Sequence, residues 1–218
     1  DRLAEAGVEV VKISTDPLES VSERVAAEVD DGTAAALISS VMFGTGCIVP
    51  GLPVVAEACQ RHGAELLIDA YHSLNVVPFS LQGMERAFVV AGGYKYCQLG
   101  EGNCVLRVPP RCRLRPVVTG WFSEFAELAD EKVPGDVRYG VGAARFAGST
   151  YDPTSHYRAA QVFEFFERQG LTTELLREVS QHQVGLLLET FRSLDLDPAV
   201  ICEDDAVLLH QRGGFLGL

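Results

Sequence analysis

Several features that would assign a chain to a particular class of protein are missing from this sequence. Its 218 residues contain no basic run and carry a net charge of -12, which argues against a nucleic-acid partner. No apolar stretch reaches the length of a membrane span, and the amino terminus lacks the pattern of a signal peptide. We therefore expect neither a nucleic-acid nor a membrane partner.

The cysteines lack the spacing that would give them a structural role. They stand at positions 47, 59, 97, 104, 112 and 202, without a C-x-x-C pair or a regular framework. This pattern fits neither a zinc site nor a disulfide-stapled scaffold. We expect reduced thiols, no metal and a cytoplasmic location.

The apolar content, in contrast, is that of a well-packed domain. Hydrophobic residues make up 47% of the chain and charged residues 22%, so a sizeable core can form. The first residue is Asp1 and not methionine, and residues 1–7 have the pattern of the last turns of a helix. We expect the chain to be a piece of a longer protein.

Short apolar runs alternate with helical patterns along the chain. The runs at 64–68, 87–91 and 103–108 are bounded by turn residues, which is typical of buried strands in a sheet covered on both faces. The other predicted elements are a strand at 8–13, a helix from Asp16 and Pro17 to about Asp31, a strand at 34–40, a helix at 52–62, helices at 154–170 and 172–194, and a strand at 206–210. This order predicts an α/β fold with a mostly parallel sheet.

Polar residues follow two of these runs at the point where each strand ends. Asp69 closes the run at 64–68, and Lys95 follows the run at 87–91 across Gly92 and Gly93. Because ligands bind outside the carboxyl ends of parallel strands, both side chains should face one crevice. A lysine can form a Schiff base with pyridoxal 5'-phosphate (PLP), and a carboxylate can keep the pyridinium nitrogen protonated. The pair therefore predicts a PLP site.

The residues around this pair resemble a known family. The segment Asp69-Ala70-Tyr71-His72-Ser73, the triplet Tyr94-Lys95-Tyr96 and the turn Gly100-Glu101-Gly102 are similar to the core of kynureninase and its relatives in the class V aminotransferase group of fold-type I PLP enzymes. Gly120-Trp121-Phe122, Gly148-Ser149-Thr150 and Arg212-Gly213-Gly214-Phe215 resemble later segments of the same family. The resemblance covers roughly residues 33 to 218.

The resemblance implies an architecture and an activity. It implies a three-layer sandwich around a mostly parallel sheet, the incomplete large domain of the fold-type I PLP-dependent transferases. Residues 1–194 would belong to that domain, and residues 195–218 would begin a small carboxyl-terminal domain. It further implies a homodimer that binds PLP and acts on a small amino acid. The implied reaction is hydrolysis of kynurenine to anthranilate and alanine.

The resemblance also implies roles for individual residues. Lys95 would anchor PLP and Tyr94 would assist proton transfer and bind the phosphate. Asp69 would hold the pyridinium nitrogen with support from His72. Two further residues would reach the phosphate bound by a neighbouring subunit, namely Trp121 and Thr150.

Each of these residues has a plainer interpretation that the sequence leaves open. Lys95 could lie on the surface, Asp69 could cap a turn, and His72 could be a packing residue. Trp121 could belong to the core. Arg145 and Arg212 could bind a carboxylate or phosphate, although surface ion pairs are the expected account of both. The run Gly44-Thr45-Gly46 is expected to be a turn, with an anion-binding loop as the alternative.

The function has alternatives as well. Another class V activity, such as that of an aminotransferase, a cysteine desulfurase or an epimerase, would use the same pair of residues. A non-catalytic subunit with this fold is the alternative from another class. Ser123 and Glu124 stand where kynureninases typically have other residues after the tryptophan, which leaves the substrate open.

Overall fold

The centre of the fold is a four-stranded sheet. The computed structural model describes residues 2–131 and 133–218. The strands are β1 (Ala35–Ser39), β2 (Glu65–Asp69), β3 (Phe88–Gly92) and β4 (Cys104–Arg107), in the order β1-β2-β3-β4. The first three are parallel, and β4 runs antiparallel to β3. The prediction of an α/β fold with a mostly parallel sheet is confirmed.

Two helices cover one face of this sheet. They are α2 (Val21–Ala27), which follows a short 3-10 helix at Leu18–Ser20, and α3 (Leu52–His62). Their apolar side chains pack against alternate residues of β1 and β2 in a single core of buried residues: Val21, Val29, Ala36, Ile38, Val49, Leu52, Val55, Ala58, Cys59, Ala64, Leu66, Ile68, Met84 and Ala87. Ile68 is completely buried, and such a side chain contributes about 1.5–3 kcal/mol to folding. This core fixes β1 and β2, and β2 ends at Asp69.

Helix α3 has the bounds that the sequence predicts. Pro53 stands in its first turn, where a missing N–H costs no helical hydrogen bond. Gly63 closes it with φ of 74° and donates its N–H to the Cys59 carbonyl. A left-handed residue at this position favours glycine because it has no Cβ.

The long helices near the carboxyl end are also confirmed. They are α4 (Thr154–Gln169), which ends at a left-handed Gly170, and α5 (Thr173–Ser193). The Thr172 side chain accepts a hydrogen bond from the Leu175 N–H at 3.3 Å and so caps α5. A short helix α1 (Arg2–Glu5) and 3-10 helices at Trp121–Glu127, Gly142–Phe146 and Leu209–Gln211 complete the described elements. The domain boundary at 194/195 stays a prediction.

The strand predicted at 8–13 is wrong. These residues are mostly exposed and pair with no strand among the residues that the structure describes. An apolar run becomes a strand only when a neighbour completes its hydrogen-bond ladder.

The strand predicted at 206–210 is also wrong, because the segment forms a turn and the 3-10 helix Leu209–Gln211. In this segment, side-chain oxygens accept hydrogen bonds from backbone N–H groups. The Asp204 carboxylate accepts the Ala206 N–H at 3.0 Å, and the Gln211 side-chain carbonyl accepts the Leu208 N–H at 2.9 Å. Such local bonds compete with a strand ladder.

Two further predictions need correction. The helix expected to reach Asp31 ends at Ala27, and it begins after Pro17 without a side-chain cap from Asp16. The run at 103–108 is not a buried strand, since Cys104, Val105 and Leu106 of β4 are exposed. Strand β4 lies at the edge of the sheet, where one side has no neighbouring strand within residues 2–131 and 133–218. None of the described helices is long and apolar enough to cross a membrane.

Candidate active site

The carboxyl ends of β2 and β3 bring the predicted site residues to one edge of the sheet. Asp69 ends β2 and pairs in register with Val90 of β3. The chain leaves β3 through Gly92 and Gly93 into a turn in which the Lys95 N–H donates to the Gly92 carbonyl at 3.4 Å. Lys95 therefore follows its strand at the same edge at which Asp69 ends the neighbouring one.

The carboxylate of Asp69 is held by two donors. One oxygen accepts the Tyr71 N–H at 2.8 Å, and the other accepts the Ser39 hydroxyl at 3.3 Å. The first bond is the turn cap considered as the plainer interpretation. Each carboxylate oxygen has a second lone pair, so the cap leaves Asp69 able to accept a further proton donor.

Two buried serines fix the backbone behind Asp69. Ser40 donates to the Asp69 carbonyl through both its N–H, at 2.8 Å, and its hydroxyl, at 3.0 Å. The hydroxyls of Ser40 and Ser73 lie 2.7 Å apart, and both residues are buried. Since these polar groups satisfy one another, they lock the turn from Asp69 to Ser73 without an unpaired buried donor.

His72 packs against two phenylalanine rings. Its ring centroid is 5.3 Å from that of Phe43 and 5.2 Å from that of Phe215. Burial lowers the pKa of His72, and the positive charge of Lys95 lowers it further, whereas Asp69 acts in the opposite direction. Both charged groups therefore lie close enough to the imidazole to change its pKa. The plainer interpretation, that His72 is a packing residue, accounts for its contacts with the two phenylalanine rings but not for its closeness to these charges.

Lys95 has no ion-pair partner among the described residues. Its Nζ lies 5.5 Å from the centre of the Tyr94 ring. Tyr94 is half-exposed, and Tyr71 meets it edge-on with ring centroids 6.0 Å apart. The Tyr71 hydroxyl donates to the Cys104 sulfur at 3.5 Å, and this bond with partial burial raises the pKa of Tyr71 to about 12. Tyr71 is accordingly a neutral donor.

Gly92 makes this tyrosine arrangement possible. A Cβ at Gly92 would lie 2.5 Å from the Tyr71 ring and 2.8 Å from the Tyr94 ring. Real Cβ atoms do not approach so closely, and the absence of a side chain lets both rings reach the strand end.

Trp121 and Thr150 lie on two segments that are bound to each other. The Gly120 N–H donates to the Ala147 carbonyl at 3.2 Å, and the Phe122 N–H donates to the Gly148 carbonyl at 3.1 Å. Trp121 stacks on Phe122 with centroids 4.3 Å apart and remains 45% exposed, so it is not a core residue. Thr150 is exposed. Within the described ranges, no hydrogen bond, ion pair or ring contact joins either residue to Asp69, His72, Tyr94 or Lys95.

The two arginines have structural partners. Arg145 donates to the Leu114 carbonyl at 3.0 Å. Arg212 is only 1% exposed and lies 2.5 Å from the carboxylate of Glu203, so the expectation of a surface ion pair is wrong for it. A guanidinium can be buried in this way because a carboxylate and carbonyl groups replace its hydration.

The turn interpretation of residues 44–46 is confirmed. The Gly46 N–H donates to the Met42 carbonyl at 2.8 Å, and the Gly46 carbonyl accepts the Gly213 N–H at 2.7 Å. Because these bonds use the loop's own backbone groups, the loop is built as a turn that holds the carboxyl-terminal segment.

Three neighbours of the site were not identified from the sequence. Ser39 could have been found, because it lies near the end of the strand predicted at 34–40, next to the strand that ends at Asp69. Phe43 and Phe215 carry no such signal, since each comes from a loop and only the tertiary structure places them beside His72.

Two cavities in the described part of the chain do not contain Lys95. One of about 540 Å³ lies behind Ser40 and Ser73, and one of about 640 Å³ lies at the amino end of α4, beside Glu101 and Arg158. The edge of the sheet that carries Lys95 is instead open to solvent on the side of Tyr94, which is 36% exposed. No group of three or more potential metal ligands occurs within residues 2–131 and 133–218.

Comparison with known proteins supports the same architecture. No family model matches the chain. A curated relative, the uncharacterized aminotransferase YcbU of Bacillus subtilis (strain 168), is 26% identical over 152 residues, which are 69% of this chain and 39% of that protein.

Solved structures of cysteine desulfurases have the same fold. The apo enzyme from Thermococcus onnurineus NA1 matches 98% of this chain and 51% of its own with a TM-score of 0.74 and 16% identity. The desulfurase CsdA from Escherichia coli matches 88% and 47% with a TM-score of 0.69 and 13% identity. The chain thus spans about two fifths of the curated relative and about half of these enzymes. It has the α/β fold of these desulfurases, which is that of the fold-type I PLP-dependent transferases.

Proposed function

We propose that the whole protein is a PLP-dependent enzyme that acts on an amino acid, and that the cofactor is attached to Lys95. The observation that carries the proposal is that Asp69 and Lys95 lie at the ends of neighbouring parallel strands. The Lys95 amine has no ion-pair partner among the described residues, and two hydrogen-bond donors already orient the Asp69 carboxylate. An amine and an oriented carboxylate at one sheet edge are the two groups that PLP requires.

The residues at this edge fit the cofactor. The Lys95 amine would hold it covalently, and the Asp69 carboxylate would accept the proton of its ring nitrogen. His72 and Tyr94 would lie beside it, and Gly92, which has no side chain, leaves room for the Tyr71 and Tyr94 rings at the strand end. When bound, PLP withdraws electrons from the Cα of an attached amino acid.

The chain's own residues would then manage protons. Lys95, once released, is placed to take the proton from the substrate Cα and to return it, because its amine has no competing carboxylate among its described neighbours. Asp69 would keep the ring nitrogen protonated through its fixed orientation. Tyr94 is the nearest hydroxyl-bearing ring to Lys95 in the contacts described above and would assist proton delivery.

A homodimer is part of the proposal. Trp121 and Thr150 are exposed and stand on hydrogen-bonded segments of their own. We infer that they complete the phosphate site of a second subunit, as the family resemblance implies.

Six free cysteines and the absence of a membrane-spanning helix in the described part of the chain accord with the proposed cytoplasmic location.

The reaction itself has two candidates. Kynureninase-type hydrolysis follows from the resemblance of residues 69–73 and 94–96 to that family. Cysteine desulfuration or transamination is the alternative, favoured by the names of the similar proteins. The full-length protein should be assayed with kynurenine, with cysteine, and with a panel of amino acids plus a 2-oxo acid.

The cofactor proposal has a direct test. PLP is added to the protein, the absorbance spectrum is recorded, and the complex is reduced with borohydride and mapped by peptide mass spectrometry. A pyridoxyl group on Lys95, lost in Lys95→Arg and retained in the exposed-site control Lys12→Arg, is the expected result. A pyridoxyl group on another lysine of the full-length protein, or none, would overturn the assignment.

A further inference from the structure

We propose that Phe215 is a positioning residue for His72. The carboxyl-terminal segment at 211–215 places the Phe215 ring against the His72 imidazole, and the Phe215 and Phe43 rings together fix the orientation of that imidazole at the strand-end site. The importance of this contact for catalysis rests on the function proposed above. The contact itself is a property of the chain.

The first support is the geometry of the three rings. Phe43 and Phe215 lie 5.3 Å and 5.2 Å from the His72 ring, and they lie 6.4 Å from each other. Tilted aromatic pairs at these separations attract each other beyond their area burial. The imidazole has no hydrogen bond to another described residue, so ring packing is what holds it.

The second support is the way in which the segment is anchored. The Gln211 carbonyl accepts the Ile48 N–H at 2.8 Å, and the Gly213 N–H donates to the Gly46 carbonyl at 2.7 Å. Cys47 and Arg212 form a bridge between these two bonds. The segment therefore pairs with residues 46–48 as a short antiparallel ladder, which sets the position of residue 215.

The buried arginines hold the same segment from the other side. Arg177 of α5 donates to the carbonyls of His210, at 3.0 Å, and Gly213, at 3.3 Å. Arg212 donates to the Glu203 carboxylate and to the Asp204 carbonyl, each at 2.5 Å. These bonds leave little freedom to Arg212 and Gly213, which precede Phe215 by three and two residues.

Close packing excludes a shift of the segment. A Cβ at Gly213 would lie 2.9 Å from the Val41 side chain, and a Cβ at Gly214 would lie 2.7 Å from the Tyr96 ring. A Cβ at Gly46 would lie 2.7 Å from the Phe215 carbonyl. The backbone of the segment is thus in close contact with Val41, Tyr96 and Gly46, which restricts the position of Phe215.

The electrostatic surroundings of His72 agree with this picture. Burial is the largest cause of its lowered pKa, and the charged groups that act on it are Lys95 and Asp69. Part of the burial comes from the two rings that cover the imidazole. Removing Phe215 would admit water to one side while leaving both charged groups in place.

The test is a titration of His72 by proton–carbon NMR in the full chain without added cofactor. The signal of His72 among the five histidines is assigned by its loss in His72→Gln. In Phe215→Ala we expect the ring-current shift of His72 to fall and its pKa to rise toward the ordinary value, because water reaches the imidazole. Phe215→Leu, which keeps an apolar cover, should lose the ring-current shift but retain most of the pKa difference.

Two controls keep the test decisive. Phe43 is 76% exposed, so Phe43→Ala should fold and still change the ring-current shift of His72. Phe163, exposed on α4, serves as the matched aromatic control, and Phe163→Ala should leave the His72 signal unchanged. Unchanged His72 shifts and pKa in folded Phe215→Leu and Phe43→Ala would overturn the proposal.

A second measurement connects the contact to the cofactor. The affinity for PLP, measured by absorbance, should fall in Phe215→Leu, and it should fall no further in the double variant with His72→Gln than in His72→Gln alone. Additive losses would mean that Phe215 does not act through His72. If the wild-type protein binds no PLP, the proposed function fails, and the NMR titration still decides the positioning role.

Discussion

The hydroxyl of Ser39 donates to the carboxylate of Asp69 at 3.3 Å, across the register pair that the two residues form at the ends of β1 and β2. The Tyr71 N–H holds the other oxygen. The carboxylate on which the proposed chemistry depends is thus oriented from a neighbouring strand, and this orientation exists without any bound group. Four predictions test this site and the core around it.

Ser39→Ala should weaken PLP binding without unfolding the protein. Loss of one hydrogen bond of this kind costs about 0.5–1.5 kcal/mol, which corresponds to roughly a two- to tenfold weaker affinity. The affinity is measured by absorbance titration, and the thermal midpoint is recorded in parallel. Ser193→Ala, at the exposed end of α5, removes a hydroxyl that is remote from Asp69 in sequence and contacts. Equal affinities in the two variants would show that Ser39 does not orient Asp69.

Gly92→Ala should disturb the tyrosine pair beside Lys95. The new Cβ would lie 2.5 Å from the Tyr71 ring, and overpacking of this kind costs about 1–3 kcal/mol. The free energy of unfolding is measured in urea together with PLP affinity. The matched control is Gly44→Ala, where a Cβ would meet nothing within 4 Å. A stability loss no greater in Gly92→Ala than in Gly44→Ala would contradict the packing argument.

The stability of the fold should fall as the pH is lowered through the range in which histidine titrates. The pKa of His72 is lowered in the folded state, so the unfolded chain binds more protons at this residue below its ordinary pKa of about 6.5. The contribution of the neutral imidazole is complete above that pH and is lost as the pH falls through the folded-state value. Thermal midpoints between pH 8 and 5 are compared in the wild type and in His72→Gln. The wild type should show the steeper decline, and identical slopes would count against a buried neutral His72.

The cysteines should react with iodoacetamide in an order set by burial. Burial raises the pKa of Cys59 and of Cys97, which leaves little of the reactive thiolate at pH 8. Cys104 and Cys202 are exposed and should be alkylated first, as measured by peptide mass spectrometry over time. All six should react alike in denaturant. Early modification of Cys59 or Cys97 in the native protein would show that the core around them opens readily.

Much of the fold could be predicted because it depends on local signals. Helix α3 was predicted with its exact bounds from Pro53 in the first turn and Gly63 after the end. The strands at 8–13 and 206–210 were not formed, because a strand requires a partner whose position no local pattern encodes. The burial of Arg212 could not be predicted for the same reason. Its partner Glu203 is brought close to it only by the turns between the two residues.

The sequence by itself determined an α/β fold and the two groups that define the proposed site, because Asp69 and Lys95 each follow an apolar run at a position that parallel strands place at one edge. Only the tertiary structure decided what surrounds them. The donor from Ser39 depends on strand register, and the Phe43 and Phe215 rings depend on a carboxyl-terminal segment that returns to pair with residues 46–48. Such contacts arise from packing between distant parts of the chain, where each position is set by many partners at once and no short stretch of sequence specifies the outcome.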